Sequence, residues 1–127
     1  MTYILDTNVL LWALENNPRL SSKARKVMVN PNNEIHVSIA SIWEISIKLS
    51  IGKLNLSRTL DEILEEMEEL DFRILPISIK ALRYLRNMPF HHKDPFDRLI
   101  ISQAIASGVT CIASDEKFSL YNPKIIW

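Results

Sequence analysis

Cysteine and glycine are scarce in this chain of 127 residues, which contains one cysteine, Cys111, and two glycines. A single cysteine excludes a disulfide within the chain, and its place in the apolar run "VTCIA" predicts a buried, reduced thiol. Two glycines and six prolines give no sign of a linker. Hydrophobic residues make up 47% of the chain, enough to bury a core without disulfide or metal staples. We expect a single domain over residues 1–127.

A long apolar run is missing as well. The longest uncharged stretch, residues 99–114, has 16 residues and includes Ser, Gln, Gly and Thr, whereas a membrane span needs roughly 20 apolar residues. The apolar N-terminus is interrupted by Asp6, and its first basic residue is Arg19, which is not the layout of a secretory signal. We therefore expect a soluble, cytoplasmic protein with no membrane partner.

Short β-prone runs alternate with segments of helical periodicity along the whole chain. Alternation of this kind predicts right-handed βαβ units, a parallel sheet and helices on both of its faces. The expected fold is α/β, a three-layer α/β/α sandwich with a central parallel sheet. Residues 40–51, "ASIWEISIKLSI", are apolar on nearly every side, which predicts a largely buried helix. The five predicted strands are "TYIL", "EIHVSI", "FRILPI", "VTCIA" and "KIIW".

The stretch "HHKDPFDRLIISQAIASG", residues 91–108, has the features of a helix start. Asp94 occupies the N-cap position, Pro95 the first helical position and Asp97 the third, where a carboxylate favours the positive end of the helix dipole. Apolar residues then recur at helical spacing up to Gly108, which predicts the end of the helix. Capping alone accounts for both aspartates, so this stretch by itself leaves their function open.

Acidic side chains are expected to meet at one edge of the predicted sheet. Asp6 directly follows the first strand, and Asp115 follows the run "TCIA" after Ser114. Ligands of open parallel sheets bind beyond the carboxyl ends of the strands, so both acids lie at the same edge. Asp97 begins the helix that leads into "VTCIA", which places it at that edge too.

Glu44 is the least ordinary of the acids, because it lies in the middle of an apolar helix where an unpaired carboxylate is costly to desolvate. Lys48, four residues on, is its simplest partner, in a pair worth about 0.3–0.5 kcal/mol when exposed. Asp6 and Asp115 also have local alternatives, as a helix cap and as a turn or cap residue. Four acids at one edge repel one another unless cations lie among them. Oxygen ligands with few histidines or thiols nearby suit Mg²⁺ or Mn²⁺ and exclude a structural zinc site.

Four segments, in this order and spacing, carry a resemblance to a known family: "ILDTNVLLW", "SIWEISIK", "DPFDRLIISQA" and "ASDEKF". They resemble the signature of PIN-domain nucleases and, more closely, of the VapC-like toxins of type II toxin–antitoxin pairs. The resemblance covers essentially the whole chain, and "DPFDRLIISQA" is its most specific segment. It implies a PIN-like fold and Mg²⁺- or Mn²⁺-dependent endoribonuclease activity. It also implies an RNA substrate, a cognate antitoxin and a homodimer.

The same resemblance implies site residues. The catalytic and metal-binding acids would be Asp6, Glu44, Asp97 and Asp115, with Asp97 or Asp6 also able to take a proton from the attacking water. The supporting polar residues would be Thr7, Asn8, Ser114, Asp94 and Arg98, of which we assign Asp94 to capping.

An RNA-cleaving enzyme is expected to carry an excess of basic residues. This chain departs from that expectation, because its 15 basic and 15 acidic residues cancel. A phosphatase or phospho-acceptor domain fits less well, since the first strand ends in a single Asp and no suitably placed lysine follows a later strand. The remaining alternative is a catalytically silent PIN-like module that binds RNA or a partner. The candidate phosphate contacts are Lys48, Lys53, Lys93 and Arg98, with His91 and His92 as further candidates that are more simply explained as loop-surface residues. The alternative role of Arg98, which directly follows Asp97, is to orient that ligand.

Overall fold

The computed structural model describes residues 1–54, 56–121 and 123–127, and in these ranges five strands form one sheet. The strands are β1 (Thr2–Leu5), β2 (Glu34–Ser38), β3 (Arg73–Leu75), β4 (Thr110–Ile112) and β5 (Ile125–Ile126). They lie in the order β3-β2-β1-β4-β5, and each neighbouring pair is parallel. The central parallel sheet predicted from the alternation is confirmed.

Helices connect the strands and cover the sheet. They are α1 (Thr7–Leu14), α2 (Ser22–Val29), α3 (Ile39–Ser50), α4 (Leu60–Glu69), α5 (Ile79–Asn87) and α6 (Pro95–Ser107), with a 3₁₀ helix at Glu116–Tyr121. Their starts follow the capping rules, because Ser21, Ser38, Thr59, Ser78 and Asp94 each accept a hydrogen bond from a backbone N–H of the first turn. Gly108, with φ of 67°, ends α6 in the left-handed conformation.

Alternate residues of β1 point into two separate hydrophobic clusters. Tyr3 and Leu5 belong to the cluster that includes Val9 of α1 and Ile63 of α4. Ile4 belongs to the second cluster, to which α6 contributes several residues and β4 contributes Cys111. Because successive side chains of a strand face opposite sides of a sheet, each cluster fills one face. The three-layer α/β/α architecture is therefore confirmed.

The expected burial of the helix at residues 40–51 is wrong in part. Ile42 and Ile45 are buried, but the Trp43 residue is 57% exposed, and Ile47 and Ile51 are exposed too. The helix contacts β2, α4 and α6, which cover one side of it, and its opposite side faces solvent. A helix that is apolar all round is thus covered on one side only.

Cys111 is buried and free, as its apolar surroundings predict. Within residues 1–54, 56–121 and 123–127, none of the helices has the length and apolar character to cross a membrane.

The carboxyl ends of β1 and β4 are joined directly. The backbone N–H of Asp6 donates to the carbonyl oxygen of Ile112 at 3.0 Å, which continues the ladder one residue beyond β1. Asp6 therefore leaves the sheet beside the point where the chain leaves β4 towards Asp115. The 3₁₀ helix that follows Asp115 is anchored by Phe118, which is fully buried in the second cluster.

Replacing Phe118 with Ala is expected to lower the free energy of unfolding by about 3–5 kcal/mol, because it leaves a cavity in the second cluster. Leu120 lies in the same 3₁₀ helix and is 51% exposed, so Leu120→Ala is the matched control, with an expected change within about 0.5 kcal/mol. Urea unfolding followed by circular dichroism measures both. Equal effects of the two substitutions would contradict this account of how the segment after Asp115 is held.

Candidate active site

Asp6 is a buried carboxyl group that does not cap the helix it precedes. The residue is 3% exposed, and its side chain makes no capping hydrogen bond to the first turn of α1. Burial raises the pKa of Asp6 to about 7, against the opposing effect of the Thr7 backbone N–H, and the charges of Glu44, Asp115 and Asp94 raise it further. The local explanation for this acid, a helix cap, therefore fails.

Asp97 lies in the first turn of α6, one turn after its cap. Burial is the main cause that raises the pKa of Asp97 to about 8, followed by the charges of Asp6, Asp94, Glu44 and Asp115. A carboxyl group with this pKa is largely protonated at neutral pH in the metal-free protein. The expected stabilisation of the helix dipole by a charged Asp97 is accordingly small at that pH.

These mutual charge effects show that the structure brings the four predicted acids and Asp94 to one edge of the sheet. The carboxyl groups of these acids are not closely clustered. Among the residues that the structure describes, no three His, Cys, Asp or Glu side chains are close enough to hold one metal ion. The acids therefore share an electrostatic neighbourhood and not a preformed coordination shell.

The contacts of Glu44 indicate whether a cation fits among these acids. Its Oε2 accepts a hydrogen bond from Lys48 Nζ at 2.7 Å, which is the simple pairing that the sequence suggested. Its Oε1 is buried and has no hydrogen-bond partner. Buried polar atoms are nearly always satisfied, and an orphaned carboxylate oxygen among other acids matches a hard divalent cation. The residues present therefore fit Mg²⁺ or Mn²⁺.

Lys48 is committed to this pair. The hydrogen bond to Glu44 is the main cause that raises the pKa of Lys48, so the ammonium group stays charged. Lys48 is therefore not free to contact a phosphate. Lys53 and Lys93 are exposed and remain candidates.

Asp115 serves locally as a turn residue, as one of its alternatives predicted. Its Oδ1 accepts a hydrogen bond from the backbone N–H of Lys117 at 2.9 Å. The residue is half-buried, and its second oxygen is left for another partner. Ser114 and Asn8 are exposed beside Asp115 and Asp6 in the chain.

Thr7 is buried and connects α1 to α3. Its Oγ1 donates to Ser41 Oγ at 2.9 Å, which links the start of α1 to α3. Asp6 directly precedes Thr7, and Glu44 lies three residues after Ser41 on the same helix. This hydrogen bond therefore ties the residue next to Asp6 to the helix that carries Glu44.

Asp94 caps α6, as we assigned it. Its Oδ1 accepts hydrogen bonds from the backbone N–H groups of Phe96 at 2.9 Å and Asp97 at 3.1 Å. The two aspartates of "DPFD" thus differ in their contacts: the first fixes the helix start, and the second is left without a local partner for its carboxyl group.

The interpretation of Arg98 as a phosphate contact is wrong. Arg98 is buried, and Nη1 donates to the carbonyl oxygen of Pro89 at 2.7 Å while Nη2 donates to that of Met88 at 3.4 Å. Its guanidinium lies 4.0 Å from the centre of the Phe90 ring. These three contacts are with the segment before α6, and Nη1 also donates to the Tyr121 hydroxyl at 3.1 Å, so Arg98 holds that segment in place.

His92 lies beside Asp97, a position that the sequence pattern did not predict. We expected both histidines at the loop surface, and His91 is exposed there, but the His92 side chain is only 7% exposed. Its Nε2 lies 3.7 Å from Asp97 Oδ2, and its Nδ1 lies 2.9 Å from the Tyr121 hydroxyl. Burial lowers the pKa of His92, which disfavours a charged imidazolium at this contact. The sequence offered one hint of this position, namely that His92 lies close to the capping residue Asp94 in the chain.

Comparison with known proteins gives a family and a fold. The model of the PIN domain matches residues 3–122. A chain of the VapBC2 complex from Rickettsia felis, bound to a DNA fragment from its promoter, is 20% identical with a TM-score of 0.74, covering 99% of this chain and 98% of that chain. A chain of the DNA-bound VapBC complex from Salmonella typhimurium is 15% identical with a TM-score of 0.72, covering 99% and 97%.

A chain of VapBC-1 from nontypeable Haemophilus influenzae has 19% identity and a TM-score of 0.68, with 99% and 97% of the two chains covered. At identities this low the likeness concerns the fold. Among curated proteins, none matches this chain.

Asp97→Asn is expected to stabilise the metal-free protein at pH 8. The folded-state pKa values of Asp97 and Asp6 lie above the unfolded value of 3.8, so the folded state binds more protons. The stability that these groups contribute is therefore full below about pH 4 and is lost as the pH rises through about 7 to 8. We expect Asp97→Asn to exceed wild type by about 1 kcal/mol or more at pH 8 in EDTA, with little difference at pH 4.

Urea unfolding at the two pH values measures this effect, and exposed Glu65 in α4 provides the control substitution Glu65→Gln. A destabilisation by Asp97→Asn of equal size at both pH values would show that the carboxyl group is not strained by its neighbours.

Asp94→Ala is expected to cost about 1 kcal/mol of stability, because two backbone N–H groups of α6 lose their acceptor. Asp94→Asn should cost only a few tenths, since Asn caps comparably. Thermal unfolding in EDTA distinguishes the two variants. If Asn were as harmful as Ala, the charge of Asp94 and not its cap would be the contribution that matters.

Proposed function

Because the chain belongs to the PIN-domain family, we propose that it is a metal-dependent endoribonuclease and the toxin of a type II toxin–antitoxin pair. The observation that carries the proposal is the acidic edge: Asp6 is buried, Asp97 is half-buried beside the charge of Asp6, and Glu44 has an orphaned oxygen. A family match across residues 3–122 and the fold shared with toxin–antitoxin complexes support the same conclusion.

Asp6, Glu44, Asp97 and Asp115 are the residues we propose to hold Mg²⁺ or Mn²⁺. When bound, such ions activate water for in-line attack on a phosphodiester and stabilise the leaving oxygen. The chain contributes the fixed positions of the ligands. The Lys48 ammonium holds Glu44 Oε2, so Oε1 is the oxygen left to face a cation.

Backbone and hydroxyl hydrogen bonds place the other acids. The Thr7 hydroxyl bonded to Ser41 keeps Asp6 in register with α3, and the Asp94 cap sets the first turn of α6 on which Asp97 lies. Short helices and strand ends are stiff supports for a catalytic constellation, which needs its groups held to about 0.5 Å. We propose that this rigidity, and not a deep cavity, is what the fold provides to the reaction.

The proposed partners follow from the family and the charge of the site. The structurally similar chains come from complexes of toxins with antitoxins, and we propose that this chain has a cognate antitoxin that places a basic side chain at the acidic edge. The substrate would be RNA in the cytoplasm, with Lys53 and Lys93 as exposed phosphate contacts. We also propose a homodimer, by analogy with the family.

Purified wild-type protein, free of copurified antitoxin, is expected to cleave total RNA with Mn²⁺ or Mg²⁺ and to lose the activity in EDTA. Asp6→Asn and Asp97→Asn should each reduce cleavage by about 100-fold or more, because they remove ligands that stabilise the transition state. Asp94→Asn should retain most of the activity, since it preserves the cap. Gel analysis of the RNA, at matched folding by circular dichroism, measures all four proteins.

Metal-independent cleavage that persists in both ligand variants would contradict the proposal. Folded wild-type protein that binds Mn²⁺ and RNA but leaves the RNA intact would favour the binding module over the nuclease.

A further inference from the structure

The Tyr121 hydroxyl is the centre of a buried hydrogen-bond cluster beside the acidic edge. Its oxygen lies 3.0 Å from the backbone nitrogens of both His91 and His92 and 3.1 Å from Arg98 Nη1. It lies 2.9 Å from the fourth partner, His92 Nδ1. Tyr121 is buried, and it connects the end of the 3₁₀ helix to the segment that precedes α6.

Counting hydrogens in this cluster determines the tautomer of His92. Two backbone N–H groups and a guanidinium N–H are donors and have no acceptor capacity. Among these four partners, only the Nδ1 of His92 can accept the single hydrogen of the Tyr121 hydroxyl. With Nδ1 accepting, a neutral imidazole carries its hydrogen on Nε2. His92 consequently presents an N–H donor on the side of the ring away from Tyr121.

That donor has no partner of its own. His92 Nε2 is buried and makes no hydrogen bond, and Asp97 Oδ2 lies 3.7 Å away, just beyond hydrogen-bond distance. A buried N–H without an acceptor is rare and costs free energy, which indicates that the acceptor arrives in another state of the site. A shift of the Asp97 side chain by less than 1 Å would bring Oδ2 within hydrogen-bond distance of Nε2.

We infer that His92 is a positioning residue whose Nε2–H donates to Asp97 Oδ2 and orients this carboxylate for the divalent cation. The inference rests on the proposed function, since it assigns a role towards the proposed metal. The hydrogen bond from His92 would hold Oδ2 of Asp97 and leave Oδ1 available to a cation. Hydrogen-bonded partners of this kind set the orientation of metal-binding carboxylates.

Arg98 and Phe90 help to hold His92 in this position. Arg98 donates to the carbonyl oxygens of Pro89 and Met88 and lies against the Phe90 ring, which holds the segment that carries His92. Arg98 directly follows Asp97 in α6. α6 therefore carries Asp97, the proposed metal ligand. Through Arg98 it also holds the segment that carries His92.

Titration of the full-length protein with Mn²⁺ by isothermal calorimetry tests the inference. His92→Phe keeps the ring shape but removes the donor, and we expect it to weaken Mn²⁺ binding by about 10- to 100-fold. His92→Gln should recover most of that loss, because its amide N–H reaches close to the place of Nε2. The neighbouring exposed His91 provides the matched control, and His91→Phe should leave the Mn²⁺ affinity unchanged.

A second readout reports the tautomer directly. Nuclear magnetic resonance of ¹⁵N-labelled histidine in the metal-free protein should show one imidazole protonated on Nε2 and unprotonated on Nδ1. Tyr121→Phe should abolish this preference, since the hydroxyl hydrogen that selects it is gone. An imidazole protonated on Nδ1 in the wild type would overturn the inference.

The outcomes separate the inference from the proposed function. If His92→Phe lowers the melting temperature but binds Mn²⁺ as tightly as wild type, His92 is structural and the inference is overturned while the nuclease stands. Wild-type protein that binds no Mn²⁺ overturns both.

Discussion

The rest of the site depends on one constraint, the burial of several carboxyl groups at the carboxyl edge of a parallel sheet. Charged oxygens in such a place repel one another and lose hydration, so each needs a proton, a partner or a cation. The metal-free protein shows the first two solutions: raised pKa values of Asp6 and Asp97, which favour their protonated forms, and the pairing of Glu44 with Lys48. Neither solution satisfies Glu44 Oε1, which is buried and has no hydrogen-bond partner. A divalent cation would supply what is missing.

One short motif organises most of what surrounds this edge. In "DPFDR", the first aspartate caps α6, the second joins the acids, and the arginine clamps the preceding segment by donating to its carbonyl oxygens. Phe96 of the same motif contacts exposed Trp43 of α3, with ring centres 5.2 Å apart. The motif thus links the helix that carries Asp97 to the helix that carries Glu44. A sequence of five residues with four separate contacts tolerates little change.

The architecture was predictable from the sequence because it depends on local patterns. Alternating strand and helix periods, Ser and Asp caps, and Gly108 each act over a few residues, and together they predict the parallel sheet and its acidic edge. Burial of α3 was overestimated, because periodicity cannot tell which sides of a helix its neighbours leave uncovered. The contacts of His92 and Arg98 were missed for a related reason: both converge on Tyr121, which is 29 and 23 residues away along the chain. No local pattern encodes such a meeting.

The position of a bound ion shows whether a cation relieves the burial of these carboxyl groups. Crystals of the protein grown or soaked with Mn²⁺ can be examined by anomalous scattering at the manganese absorption edge. We expect a peak at the carboxyl edge, with carboxylate oxygens of Asp6 and Asp97 about 2.1 Å from the ion. Glu44 Oε1 should turn towards the same peak, directly or through a water. A fully occupied Mn²⁺ elsewhere, with these carboxyl groups unchanged, would contradict the claim that their burial is relieved by a cation.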